Sequence, residues 1–218
     1  IWRAQRAHQQ RHPLQRRRCS MEKSMAPHSA ARTGVWVGIG AITMSFAAYS
    51  SAMVMRQGGP LPASQHFALP SILYLNTLVI VVSSVTLELA RRRVGGPFDR
   101  LGRVDLASPD AMRGRLAWLY ATLALGLVFL VGQYLAWSRL AAQGVFLATS
   151  PSSSFFYVLT AVHALHLLGG LGALTYALRS LRADDGPRPV NVLGAAALYW
   201  HFMAVLWVYL FVILALWV

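Results

Sequence analysis

Apolar residues fill five long stretches of the chain, at 34–55, 68–90, 116–138, 154–178 and 191–217, and polar residues gather between them. Crossing the hydrocarbon core of a bilayer takes about 20 mostly apolar residues per helix, and each stretch reaches that length. Backbone groups cannot stay unpaired in lipid, so each stretch predicts a continuous helix. The connections hold nearly all the Pro, Arg and Asp, as polar loops do. The pattern predicts an all-α fold: a polytopic membrane bundle of five transmembrane helices in one domain, 34–218. Residues 1–33 are rich in Arg, Gln and His. They are expected to be a disordered basic tail, or sequence upstream of a true start at Met21 or Met25.

Polar residues inside the apolar runs carry the finer signal. In the first run, Gly34, Gly38, Ala41, Ser45, Ala48 and Ala52 recur at spacings of four and three, which predicts a smooth face for close helix packing. In the second, Asn76 and Ser83 share one face, while Thr77, Ser84 and Glu88 share the neighbouring one. Glu88 stands three and four residues before Arg91 and Arg92, a spacing suited to an ion pair at the membrane boundary. The third run aligns Gly126, Leu130, Gln133 and Trp137. The fourth aligns His163, His166, Gly170 and Ala173, and the fifth aligns Ala197, His201, Ala204 and Val208.

Composition supports a lipid-facing surface. The 218 residues are 56% hydrophobic and 12% charged, against about one quarter charged in an ordinary globular domain. The net charge of +13 sits in clusters that flank the apolar runs. No folded basic face with interleaved aromatics is present, which argues against a nucleic-acid partner. Lys plus Arg number eight in residues 1–33 and seven in the second loop, against one each in the first and third loops and three in the fourth. That alternation predicts a cytoplasmic N-terminus and an external C-terminus. Cys19 is the single cysteine, so an intrachain disulfide and a paired-cysteine metal site are both excluded.

The histidines raise the question of a redox centre. At about 1.5 Å of rise per residue, His166 and His201 are expected near the bilayer midplane, with no carboxylate close by. Charging them there is costly, and buried imidazoles normally face inward. Three uses compete: haem ligation by His163 or His166 with His201, copper or zinc binding, and hydrogen bonding inside the bundle. A metal site needs three or four ligands with oriented supporting groups. The residues favour neutral, hydrogen-bonded structural histidines.

The same positions carry a resemblance. Leu75, Asn76 and Thr77 followed by Ser83 and Ser84, then Gly126 with Phe129 and Gln133, then Phe155 to His166, then Tyr199, Trp200, His201 and Trp207 occur in order on successive helices. In this the chain resembles subunit III of the haem–copper terminal oxidases, in its short five-helix form. The resemblance covers residues 34–218. It implies a non-catalytic subunit of a proton-pumping oxidase that takes electrons from cytochrome c or quinol to oxygen, in the bacterial inner membrane. It implies no haem or copper in this chain, both residing in partner subunit I, with subunit II in the same complex. It further implies support of proton uptake, protection of subunit I during turnover, and phospholipid held in a cleft between helices. The residues implied for the lipid cleft or helix packing are Asn76, Ser83, Ser84, Glu88, Gln133, Trp137, His163, His166, Tyr199, Trp200 and His201. Alternatives are an accessory subunit of a nitric oxide reductase and a stand-alone bis-histidine haem membrane protein.

The sequence departs from the family pattern at its membrane acids. None stands around Ile42, and Ala136 and Ala204 occupy two further positions where the family usually has one. Ala161 and Ala164 replace the glycines beside the helix-four histidines.

Overall fold

The computed structural model describes residues 33–56, 71–92, 109–183 and 188–217. The expected basic tail lies outside the described residues, apart from Thr33. Contacts divide the chain after Gly40, and 41–218 form the larger unit. Among the described residues, five helices are long and apolar enough to cross a membrane. They are α1 (Thr33–Arg56), α2 (Ile72–Arg92), α3 (Pro109–Ala142), α4 (Pro151–Ala183) and α5 (Arg188–Trp217). The architecture is the all-α bundle that the apolar runs predict.

α3 and α4 outgrow their apolar runs, and the end of the one and the start of the other are capped. α3 runs on to Ala142 and stops at Gly144, whose φ of 79° lies in the left-handed region. There Val145 N–H donates to Leu140 O at 3.0 Å and Gly144 N–H to Ala141 O at 3.0 Å, the pattern of a left-handed helix C-cap. α4 starts with Pro151 in its first turn, where a missing N–H costs nothing. Before it, Ser150 Oγ accepts from Ser153 N–H at 3.1 Å, and Ser153 Oγ accepts from Ser150 N–H at 3.0 Å. This reciprocal cap satisfies two donors at the helix start. Tyr157 then donates its hydroxyl to Val145 O at 2.9 Å, tying α4 to the end of α3.

α2 packs on α3 and α5, and α4 packs on the same two helices, so α2 to α5 close a ring. The interior holds Phe129, Phe156, Trp200, Met203 and Trp207, all fully or almost fully buried. Trp207 meets Phe129 edge to face at 4.8 Å between ring centroids, a favoured aromatic geometry. Glycines admit the large rings: a Cβ on Gly126 would lie 2.7 Å from the Trp200 ring.

α1 corrects one expectation. From position 41 onward its small residues do not form the packed face: Ala41, Ser45, Ala48 and Ala52 are exposed. In 41–56 the buried positions are Phe46, Ser50 and Met53, four and three apart on another side of the helix. Larger side chains reach into the bundle and remove more apolar surface, so they win over the smooth stripe. Phe46 meets the His166 ring edge on, at 5.9 Å.

Candidate functional site

The polar groups of α2 divide between two neighbours, as its two polar faces anticipate. Towards α3, Asn76 donates from Nδ2 to Phe129 O at 3.3 Å, and Ser83 donates to Thr122 O at 3.2 Å. Thr86 and Thr122 join their hydroxyls at 3.0 Å. Gly132 stands against the Asn76 amide, where a Cβ would overlap it. Towards α5, Trp207 donates its indole N–H to Thr77 Oγ1 at 3.1 Å. Further along the same seam, the Ser84 hydroxyl meets His201 Nδ1, and His201 Nε2 lies 3.5 Å from a Glu88 carboxylate oxygen.

Glu88 is the junction of this seam. It accepts from Arg91 Nε at 2.8 Å and from Arg92 Nε at 2.9 Å, so the ion pairs suggested by the spacing do form. The contact with His201 corrects the expectation that no carboxylate is near that imidazole. α2 and α5 run antiparallel, and the Thr77–Trp207 pairing sets position 201 opposite 84. The Glu88 side chain then spans the remaining turn.

The other two imidazoles turn elsewhere. His166 donates from Nδ1 to Val162 O at 2.7 Å, one turn back on its own helix, and its carbonyl accepts the Tyr199 hydroxyl at 3.1 Å. His163 is fully buried between aromatic rings, 6.0 Å from Phe129 and 5.1 Å from Trp207 by centroid. Neither of its nitrogens has a hydrogen-bonding partner among the described residues. The hydrogen bond expected of this histidine is thus not made to any described residue, and the Phe129 and Trp207 rings pack against it. Both Gln133 amide atoms and Trp200 Nε1 share that condition. Trp137, by contrast, donates its indole N–H to Thr160 Oγ1 at 3.1 Å. His163 and Trp200 were visible as candidates in the sequence, but their lack of partners was not. Thr122 and Thr160 were missed because single threonines in a helix give no spacing signal.

Chemically, the arrangement is a set of interhelical clasps. Among the described residues no three of His, Cys, Asp and Glu gather as a metal-binding group. Between α2 and α5 a groove of about 460 Å³ opens beside Ser84, lined otherwise by Val81, Val85, Ala204, Val205, Val208 and Tyr209.

The family model for cytochrome c oxidase subunit III matches residues 44–218, from within α1 to the end of α5. The chain belongs to the cytochrome c oxidase subunit III family. It is 30% identical over 170 residues to a probable cytochrome c oxidase subunit 3 of Mycobacterium leprae, covering 78% of this chain and 77% of the relative. It is 29% identical to the Corynebacterium diphtheriae cytochrome c oxidase subunit 3, covering 77% and 76% of the two chains. With the protein of the same description from Thermostichus vulcanus it shares 31% identity, over 78% and 76%. Members of the family normally carry no metal centre. As a subunit III, the chain is a membrane component of a respiratory-chain terminal oxidase, in one complex with subunit I.

Proposed function

We propose that this chain is the non-catalytic subunit III of a proton-pumping oxidase in a bacterial inner membrane, where it stabilises subunit I and holds phospholipid. The observation that carries the reading is the family match across the span that holds the clasps Thr77–Trp207, Ser84–His201 and Trp137–Thr160. A bundle fastened from within by its polar groups suits a part that supports a neighbour. Haem and copper belong to subunit I in this reading, and subunit II completes the complex. The N-terminus faces the cytoplasm, since the most basic segments share that side.

The groove between α2 and α5 is the proposed place for a lipid chain. Its lining is apolar but for Ser84 and the Tyr209 hydroxyl, as an acyl chain requires. Arg91 and Arg92, half and three-quarters exposed at the end of α2, stand ready for an anionic headgroup.

Recovery of a tagged copy from native membrane in mild detergent tests the assignment. A large haem- and copper-containing subunit is expected to come with it in equal amount. Recovery of the chain alone, or a haem Soret band in the isolated chain that vanishes on replacing His166 or His201, overturns it. Val205→Trp, which fills the groove, is expected to lower the phospholipid recovered with the complex. Unchanged lipid would remove the groove from the proposal.

A further inference from the structure

Beyond its role in the oxidase, the bundle carries a group of buried polar atoms that the clasps do not use. Gln133 on α3 and His163 on α4 are 1% and 0% exposed, and all four of their side-chain nitrogen and oxygen atoms lack a partner among the described residues. Buried polar atoms are nearly always paired, with protein or with ordered water. Four such atoms on two side chains are therefore a specific demand for hydrogen bonds.

The helix register brings the two side chains to one level. α3 and α4 are antiparallel neighbours, joined at one end by Trp137–Thr160 and at the other by Gly126 against Leu171. Gln133 stands one turn from Trp137 and two turns from Gly126, on the face that both turn to α4. His163 stands one turn from Thr160 and two from Leu171. Both therefore occupy the same interval of the seam, and the contact of the Phe129 and His163 rings marks it. The Gln133 amide has two N–H donors and an accepting oxygen, and neutral imidazole has one donor and one acceptor. A water molecule, with two donors and two acceptors, matches that set. The alternative sources are worse: a cation or an anion would be buried there without a compensating charge.

We infer that Gln133 and His163 together hold a buried water that bridges α3 and α4. Buried waters of this kind occur about once per 27 residues and make about three hydrogen bonds each. The bridge would bind the third helix to the fourth inside the ring, at a level where no direct polar contact links them.

A high-resolution density map of the complete complex tests the inference. A non-protein peak within hydrogen-bonding reach of both the Gln133 amide and the His163 imidazole is expected. A map with no peak there, or with the two side chains bonded directly, overturns it. Thermal melting of the complex supplies a second reading through Gln133→Met, His163→Leu and the double variant. Each single variant strands the remaining polar group, so each is expected to melt below the parent. The double variant strands neither and is expected to melt above the sum of the two losses. Losses that simply add would overturn the bridge, and if a variant fails to assemble, the parent map alone decides.

Discussion

His201 on α5 reaches Glu88 on α2 across 3.5 Å, while its other ring nitrogen meets the Ser84 hydroxyl. One imidazole thus joins the membrane-boundary ion pairs of Glu88 to the interior of the α2/α5 seam. His201→Ala is expected to leave the Ser84 hydroxyl short of a hydrogen bond and to remove the contact with Glu88, at about 1–3 kcal/mol. The expected result is a lower yield of assembled complex and near-normal turnover per assembled complex. Equal assembly with abolished turnover would instead assign the residue to chemistry.

Glu88→Gln removes the charge that holds Arg91 and Arg92. The arginines are exposed, so screening limits the loss, and a destabilisation under about 1 kcal/mol is expected. The effect should shrink further in high salt, and melting temperatures at two ionic strengths would show it.

Trp207→Phe keeps the ring beside Phe129 and His163 but deletes the N–H that reaches Thr77. Hydrogen bonds between membrane helices average about 0.6 kcal/mol, and that is the expected loss. Thr77→Val should cost a similar amount, and the pair together little more than either alone. A double-mutant cycle on melting temperatures tests the coupling.

Gly132→Ala forces a methyl into the Asn76 amide and is expected to cost about 1–3 kcal/mol by overpacking. Gly172→Ala makes a control, since a Cβ there meets nothing within 4 Å. Comparable expression of both variants would show that the α2/α3 approach is looser than the packing implies.

Ser153→Ala breaks the reciprocal cap at the start of α4. Loss of one capping side chain costs about 1 kcal/mol, and hydrogen exchange in the first turn of α4 is expected to quicken. Unchanged exchange would assign the cap no part in starting the helix.

The number and type of the helices follow from the apolar runs alone. Runs of about 20 apolar residues admit one solution in lipid, because only a helix pairs its own backbone. The division of α2 follows from spacing too, with Asn76 and Ser83 on one face and Thr77, Ser84 and Glu88 on the next. Spacing along a helix is local, and so it is legible. Which faces are buried, and which residues meet, depends on how the helices pack. α1 turned Phe46 and Met53 inward rather than its small stripe, because apolar area removed from lipid or water depends on the neighbouring helix. His201 found Glu88 through the register of two antiparallel helices, and His163 came to lie among aromatic rings through the meeting of α3, α4 and α5. Interhelical contacts in the bundle join residues up to 130 positions apart, and no local pattern encodes the rotation of one helix against another.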